Sequence, residues 1–299
     1  MDRQTERSAG LSIGVVVVHY AFPEGAASVV RSLQTLIPEP AEIVVVDNDS
    51  PLSDWMRLRD LAPMATLIRA EANRGYAAAV NAGVRKLQRV DFVIVATHDV
   101  LLRSRELDVL IRHFADPRVV CVAPMLVLRG SDLVWSAGGT LSASGRPGHL
   151  GHGESVANWA SRSARAVAWA DGAFLIYRYD VLCDEPLDEE FFLYMEELEH
   201  HCRLAARGLG VVLEPAFQVE QQPSGVPPYL LGRNTRLLQR KLHRGGYGLL
   251  ANTRLWMTEV AAFAAGRRSR KAMRLFVHGW LHPGAPIPVD WGYRDRNAA

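Results

Sequence analysis

Short apolar runs alternate with stretches of helical spacing along the first quarter of the chain. Residues 13–18, 43–46 and 65–68 are rich in β-branched side chains and predict strands. Residues 26–36 and 54–61 lie between those runs and carry apolar side chains along one face, which predicts helices. Strands that alternate with helices in this way favour a parallel sheet that is covered on both faces.

The fourth predicted strand, residues 92–96, is an unbroken apolar run that ends abruptly at Thr97, His98 and Asp99. Such a run is typical of a strand buried on both faces. Ligands of open α/β sheets bind outside the carboxyl ends of the strands. A carboxylate there can hold Mg²⁺ or Mn²⁺, which in turn holds phosphate oxygens. The alternative for this stretch alone is that Asp99 caps the next helix or turn.

Residues 71–83 combine polar side chains, a glycine and a run of alanines. Asn73 fits a helix N-terminus, and Gly75 relieves the backbone just before the helix. Arg74 at that entrance could face a phosphate. The alternative, which the segment by itself favours, is a surface arginine beside a tight turn.

A helix is predicted at 106–115 and a strand at 119–122. After them, in the middle of the chain, the pattern of apolar and polar residues becomes weaker. Residues 126–164 are dense in glycine and predict a long irregular connection, a feature often found in functional lids. His149 and His152 lie within it. A metal site on this pair is the less favoured interpretation, because a glycine-rich loop rarely preorganises ligands.

Residues 167–177 return to an apolar pattern that Asp171 and Gly172 interrupt. A carboxylate and a glycine inside a buried strand indicate a bulge or a close backbone approach to a ligand.

Acidic residues open the next predicted helix, which ends at Gly208 and precedes a strand at 211–214. The helix macrodipole favours negative charge at this end, so a well-capped amphipathic helix is one interpretation. The other is that Glu196 or Glu197 projects into a cleft as a general base. Neighbours on a helix differ by about 100° in direction, so the two cannot face the same point.

The carboxyl-terminal part is apolar and basic, with a loop at 223–228 and helices predicted at 229–240 and 253–276. This composition fits either a peripheral membrane contact or solvated helices packed on the body of the protein. We favour the second interpretation.

Composition narrows the class of protein. The 299 residues are 48% hydrophobic, enough for a sizeable core, and the formal net charge of +2 lacks the basic excess of a nucleic-acid binder. Three widely spaced cysteines without zinc spacing predict reduced thiols. The polar start of the chain and the lack of a 20-residue apolar run predict a cytoplasmic protein.

Six stretches share their order and spacing with one known family. They are Val18-His19-Tyr20, Val46-Asp47-Asn48-Asp49-Ser50, the segment 71–83, Thr97-His98-Asp99-Val100, Trp169-Ala170-Asp171-Gly172-Ala173 and the segment 191–199. Over about residues 13–245 the chain resembles glycosyltransferase family 2, in particular its rhamnosyltransferase-like branch.

This resemblance implies the GT-A fold, an α/β architecture with a Rossmann-like, mostly parallel central sheet and helices on both faces. It implies a GT-A domain at 1–245, followed by a helical extension at 246–299 packed on it. The implied activity is inverting transfer of a sugar from a nucleotide-diphosphate sugar, such as dTDP-rhamnose or a UDP-sugar. The acceptor would be a hydroxyl of a glycan, a lipid-linked saccharide or a small molecule, and nucleic acid is not an expected partner.

The family's motifs also assign roles to residues. Glu197 takes the position of the catalytic base, with Glu196 beside it, and Asp99 that of the metal ligand for Mg²⁺ or Mn²⁺. The expected nucleotide-sugar-binding residues are Tyr20, Asp47, Asp49, Arg74, Gly75, His98, Asp171 and Gly172. If the helical extension touches a membrane, the protein would lie at its inner face.

Three departures from the family pattern concern the metal and the base. Thr97 replaces the first acid of the metal motif, and Glu197 stands where the family usually has Asp. Gln221 and Gln222 occupy the stretch where relatives often carry a histidine ligand. We therefore expect weaker metal binding, or binding mainly by Asp99 and the diphosphate.

Two other functions remain open on the sequence. The reduced metal motif also fits a GT-A-fold protein that binds or scaffolds without catalysis. A nucleotidyltransferase is less favoured, because residues 18–26 lack a glycine-rich, basic phosphate loop.

Overall fold

The order in which the strands pair determines where a ligand can bind. A computed structural model describes residues 11–142, 146–223, 225–242, 245–285 and 287. The first part alternates strands and helices: β1 (Ile13–His19), α1 (Pro23–Leu33), β2 (Glu42–Asp47), α2 (Leu52–Leu61), β3 (Thr66–Arg69), α3 (Tyr76–Lys86) and β4 (Phe92–Thr97).

The elements that follow are shorter and less regular. They are β5 (Leu101–Leu102), α4 (Asp108–Ile111), β6 (Val119–Leu128), β7 (Val134–Ser136), β8 (Gly139–Leu141), β9 (Pro147–His149), α5 (Val156–Ala160), β10 (Arg165–Val167), β11 (Phe174–Arg178), α6 (Tyr179–Asp184), α7 (Glu196–Ala206) and β12 (Gly210–Gln221). The last helices are α8 (Pro228–Lys241), α9 (Gly245–Ala264) and α10 (Arg270–Leu281). Short 3-10 turns lie at Arg112–Ala115 and Glu189–Phe191.

The central sheet is mostly parallel, as expected. Within the described residues ten strands form it, in the order β10-β12-β6-β11-β4-β1-β2-β3, with β5 beside β12 and β7 beside β6. In that described sheet, β3, β2, β1, β4, β6 and β12 run in one direction, while β11 runs against its neighbours β4 and β6. The α/β fold class predicted from the sequence is therefore confirmed.

Alternate side chains of the central strands fill two cores, one on each face of the sheet. On β1, Val15 and Val17 pack with the apolar face of α1, whereas Val16 packs with α3 on the other side. Full burial on both faces explains why these strands read as continuous apolar runs rather than as alternating ones.

The chain reverses its direction of travel across the sheet between β1 and β4. From β1 it moves outward through β2 to β3, then returns to pair β4 on the other side of β1. A crevice opens at such a switch point, outside the carboxyl ends of the strands. The polar residues that follow β1, β2 and β4 converge there.

Several predicted elements differ from the observed ones. Residues 126–164 are not a structureless loop: they hold the end of β6, the hairpin β8–β9, β7 and α5, whose short, glycine-rich segments give little periodic signal. Residues 143–145 of that stretch lie outside the described residues. The predicted helix at 106–115 is a short α4 that tightens into a 3-10 turn.

Two further corrections concern the ends of strands and helices, which the apolar pattern conceals. Asp171 and Gly172 do not form a bulge within one strand but lie in the connection between β10 and β11. The predicted helix at 253–276 is split into α9 and α10. Gly266, with φ of 71°, ends the first, and Ser269 caps the second by accepting a hydrogen bond from the Ala272 amide.

The carboxyl-terminal helices pack on the body through α8. A Cβ at Gly279 would come within 2.2 Å of the Tyr229 carbonyl, and one at Gly232 within 2.3 Å of the Phe276 carbonyl. Glycine therefore permits the close crossing of α8 and α10. The domain boundary near residue 245 stays a prediction. In the described part of the chain, the helices lack the combined length and apolarity needed to traverse a bilayer.

Candidate active site

A cleft of about 950 Å³ lies at the switch point of the sheet. Its walls come from the loops after β1, β2 and β4, from the connection between β10 and β11, and from the start of α7. Its lining includes Tyr20, Asn48, Asn73, Gly75, Thr97, His98, Asp99, Trp135, His149, Trp169, Asp171, Gly172, Tyr194, Glu196, Glu197, Gln221 and Gln222.

A buried hydrogen-bond network fixes the loops after β1 and β2. The Phe22 amide donates to His19 Nε2 at 3.1 Å, so Nδ1 carries the proton and donates to Asp47 Oδ1 at 2.9 Å. The Ser50 hydroxyl also donates to Asp47, and both His19 and Asp47 are fully buried. Burial alone would raise the pKa of Asp47, but these hydrogen bonds outweigh it and lower the pKa.

The predicted nucleotide-binding residues fall into two groups. Tyr20, Gly75, His98, Asp171 and Gly172 line the cleft. The other three, Asp47, Asp49 and Arg74, are not among the described residues that line the cleft.

Each residue of the second group contacts protein instead. Asp47 is the centre of the buried network, and Asp49 lies 3.7 Å from Arg69. Arg74 pairs with Glu189 at 2.6 Å while most of its side chain stays exposed. Their roles in nucleotide binding stay predictions.

Two asparagines that were not predicted to line the site shape the cleft floor. Asn73 was expected at the N-terminus of α3, but the N-cap is Gly75. Asn48 donates to the Gly75 carbonyl at 3.0 Å and accepts from the Arg74 amide at 3.2 Å. Asn73 accepts from the Gly75 amide at 3.0 Å. Because Asn48 follows β2 directly, its position after a buried strand was the available signal.

Gly75 joins this floor to the opposite wall. Its φ is 89°, and a Cβ there would lie 2.0 Å from the Phe192 carbonyl oxygen. The Tyr76 amide donates to that same oxygen at 2.5 Å. A side chain at position 75 would therefore separate α3 from the segment that leads into α7.

Asp99 occupies the cleft beside the end of β4. The Thr97 hydroxyl donates to Asp99 Oδ1 at 2.5 Å and so orients the carboxylate. Among the described residues, His, Cys, Asp and Glu side chains do not gather in threes as a ready set of metal ligands. Mg²⁺ is often held by one or two carboxylates together with substrate phosphates and water, and Asp99 fits such a site.

A strained segment presents the two glutamates. Phe192, Tyr194 and Met195 have φ of 67°, 71° and 71°, a region that non-glycine residues rarely occupy. The buried Asn234 of α8 holds the segment by donating to the Leu193 and Tyr194 carbonyls, each at 2.8 Å. The helix α8 thereby fixes the direction in which α7 enters the cleft.

Both glutamates bury a carboxyl oxygen, although the Glu197 residue as a whole is only partly buried. Glu196 is 2% exposed, and burial, followed by the charge of Glu197, raises its pKa well above the usual value. Burial, followed by the charge of Asp171, raises the pKa of Glu197 to about 7. Within the described structure, Oε2 of each glutamate is buried without a hydrogen-bond partner. Glu197 therefore exchanges a proton near neutral pH.

Asp171 is paired across the cleft wall with a residue of the β8–β9 hairpin. His149 Nε2 lies 2.9 Å from Asp171 Oδ1. Burial alone would lower the pKa of His149, but the hydrogen bond and charge of Asp171 outweigh it and raise the pKa. The rings of Trp135 and Trp169 lie 5.0 Å from the His149 ring. Sequence spacing could not reveal this pair, because it depends on the fold of the hairpin.

A family model matches somewhat less than half of the chain. Residues 14–154 match the model of the family described as Glycosyl transferase family 2. The search of curated proteins found no match.

Solved structures with a similar fold are glycosyltransferases of low sequence identity. A mannosyltransferase from Pyrobaculum calidifontis, solved with GDP-Man and Mn²⁺, has a TM-score of 0.57 and 19% identity, over 89% of this chain and 79% of its own. GalNAc-T7, solved with UDP, GalNAc and Mn²⁺, has a TM-score of 0.55 and 16% identity, over 75% of this chain.

The match with GalNAc-T7 spans only 47% of that protein's length. TarS of S. aureus, residues 1–349, has a TM-score of 0.55 and 13% identity, over 91% of this chain and 81% of its own. At these identities the likeness establishes the GT-A fold.

The electrostatics of Glu197 predict a stability effect that does not depend on any ligand. Between pH 4.5 and about 7 the folded state binds more protons than the unfolded state, so the free energy of unfolding falls as pH rises through this window. Because Gln does not ionise, replacing Glu197 by Gln should remove this decrease in the free energy of unfolding. Above pH 7 we expect Glu197→Gln to be more stable than the wild type by up to about 3 kcal/mol.

Chemical denaturation at pH 4 and pH 8 measures this effect. Glu71→Gln, at an exposed position, is the matched control and should leave both values unchanged. A Glu197→Gln variant that is no more stable than the wild type at pH 8 would contradict the desolvation of this carboxyl.

Proposed function

We propose that this chain, whose residues 14–154 match the model of glycosyl transferase family 2, is an inverting glycosyltransferase that uses a nucleotide-diphosphate sugar. The observation that carries the proposal is the desolvated Glu197 carboxyl in the cleft at the switch point of the sheet, with a pKa of about 7. The similar fold of proteins solved with UDP or GDP-Man supports the class of donor.

Glu197 acts as the general base in this mechanism. The hydroxyl of the acceptor attacks the anomeric carbon, and its O–H bond breaks as its proton moves to Glu197. The new C–O bond forms on the face opposite the leaving group, and the nucleoside diphosphate leaves with the electron pair of the broken bond. A base with a pKa near neutrality is suited to a hydroxyl that becomes acidic only as this bond forms.

The neighbouring Glu196 has a different role. Burial, followed by the charge of Glu197, raises its pKa well above the usual value. Because the two carboxyls are adjacent, a charge on one disfavours ionisation of the other. Glu196 thereby helps to set the proton affinity of the base.

The donor lies along the floor made by the loops after β1, β2 and β4. Tyr20, Gly75 and His98 contact it, and Asn48 orders the turn beneath it. Asp47 acts from behind this floor, by holding His19 and Ser50 in place. Asp99 would hold a divalent cation, Mg²⁺ or Mn²⁺, which when bound offsets the negative charge of the diphosphate.

The acceptor approaches from the side of the β8–β9 hairpin, where Trp169, Asp171 and His149 form the wall. A glycan, a lipid-linked saccharide or a small natural product all present a suitable hydroxyl. The resemblance to the rhamnosyltransferase-like branch makes dTDP-rhamnose our proposed first donor, ahead of UDP-sugars. Nucleic acid is not a proposed partner.

A second candidate function rests on the metal motif, in which Thr97 stands in place of an acid and Asp99 is the remaining carboxylate. In that case the domain binds a nucleotide sugar or another partner without catalysing transfer. Turnover separates the two candidates directly.

Replacing Glu197 by Gln tests the role of the base. We expect turnover to fall by roughly 10²–10⁴-fold, because the variant cannot accept the proton, while donor binding stays within about threefold of the wild type. The measurement is release of nucleoside diphosphate from dTDP-rhamnose, UDP-sugars and GDP-sugars with cell-envelope glycan fragments as acceptors. Glu39→Gln, at an exposed position outside the family motifs, is the control and should keep full turnover. Full turnover by Glu197→Gln would refute the assignment.

The pair His149–Asp171 predicts two opposite shifts in the dependence of rate on pH. Rate should rise with pH as Glu197 loses its proton. Asp171→Asn removes a negative charge that raises the pKa of Glu197. The rising limb of the pH–rate profile of this variant should therefore move to lower pH. His149→Asn removes a positive charge that lowers the pKa of Glu197, so the rising limb of that variant should move to higher pH. Each of the two shifts should be up to roughly one pH unit.

Initial rates between pH 5 and pH 9 measure these limbs. Shifts in the same direction for both variants would contradict an electrostatic effect on Glu197 and indicate a general loss of structure in the cleft wall.

A further inference from the structure

The last two helices carry a surface that is both apolar and basic. On α9, Met257 and Val260 are 66% and 48% exposed, and near the carboxyl-terminal ends of α9 and α10 Phe263 and Leu281 are 39% and 62% exposed. Arg270, Lys271 and Arg274 are exposed along α10. We call these seven residues the apolar–basic surface.

A groove runs through this surface between the end of α9 and one side of α10. It encloses about 430 Å³. Phe263, Met273, Val277 and Leu281 supply its apolar lining, and the basic side chains at it are those of Arg270, Arg274 and His278. The groove therefore combines apolar walls with cations at its edge.

Charge is distributed unevenly between this region and the rest of the chain. Residues 245–287 contain six arginines and lysines and one acidic residue, Glu259, for a net charge of +5. Since the whole chain carries +2, the remainder carries −3. Glu259 is 5% exposed and forms two hydrogen bonds with Arg268, at 2.9 and 3.1 Å, so its charge is neutralised within the turn between the helices.

The inner face of the helical pair is already used in packing. Phe276 is fully buried, with the Trp256 ring 5.0 Å away, and Gly279 allows α10 to lie directly against α8. The outer apolar residues are therefore not needed to hold the helices on the body. Their exposure beside cations requires a separate explanation.

We propose that the apolar–basic surface binds the anionic surface of a lipid bilayer. Peripheral helices bind there when apolar side chains enter the headgroup region while cations meet anionic lipids, and the surface offers both. The positive charge of the surface complements the negative charge of the anionic lipids. Pairing with a second copy of the chain would instead bring the same cations face to face. The inference is independent of the proposed catalytic function, because its test needs neither donor nor acceptor.

Cosedimentation of the full chain with vesicles tests the proposal. We expect binding to vesicles of phosphatidylcholine mixed with phosphatidylglycerol, and little binding to phosphatidylcholine alone. Salt at about 1 M, where the screening length is about 3 Å, should release most of the protein. Each cation near an anionic surface strengthens binding roughly fivefold. Arg270→Gln with Lys271→Gln should therefore weaken it roughly 25-fold.

A matched pair serves as control. Arg85 and Lys86 form an exposed Arg-Lys pair near the end of α3, on the body of the protein, and Arg85→Gln with Lys86→Gln should bind vesicles like the wild type. Met257→Gln with Val260→Gln should weaken binding even at low salt. Circular dichroism and the unfolding midpoint establish that each variant is folded.

Three outcomes would overturn the proposal. Equal losses for the two Arg-Lys pairs would indicate attraction of the whole molecule rather than of this surface. Failure of the folded wild type to bind anionic vesicles would refute it outright. A dimer that Met257→Gln with Val260→Gln converts to a monomer, as measured by light scattering, would assign the surface to self-association.

Discussion

The desolvation of two adjacent carboxyls at the start of α7 is the constraint on which the site depends. Glu196 is buried, and Glu197 is partly buried with its Oε2 out of contact with water. A charge is costly there, so the pKa values of both rise. The other interactions of the fold offset the free-energy cost of desolvating these carboxyls. The desolvation yields a group that can take up a proton near pH 7, whereas an exposed glutamate would already be ionised and only weakly basic.

The parts of the molecule that meet this constraint come from distant points of the chain. Asn234 of α8 holds the strained backbone before α7, and Gly75 allows α3 to approach the same segment. Asp171 places a negative charge near Glu197, and His149 pairs with that charge. The floor of the cleft, where we propose that the donor binds, is separate and rests on the buried His19–Asp47–Ser50 network. In the proposed mechanism, one wall of the cleft takes part in proton transfer and the floor binds the donor.

The sequence predicted those features that depend on local pattern. The strands β1, β2 and β4 and the start of α7 follow from apolar runs and a cluster of acids, and the family resemblance is confirmed over residues 14–154. Features set by contacts across the fold were not predicted. Arg74 pairs with Glu189, 115 residues away, and His149 reaches Asp171 through a hairpin whose glycine-rich strands have no clear period. The break between α9 and α10 was hidden because apolar and basic residues continue on both sides of it.

Calorimetric titration with dTDP and UDP, with and without Mn²⁺, tests most directly whether the cleft is a donor site. The account predicts that the wild-type protein binds one or both nucleotides, that Mn²⁺ strengthens binding, and that Asp99→Asn abolishes this effect of the metal while preserving the fold. Binding that is the same with and without Mn²⁺, in wild type and variant alike, would contradict the role of Asp99. A folded protein that binds neither nucleotide would contradict the assignment of the cleft itself.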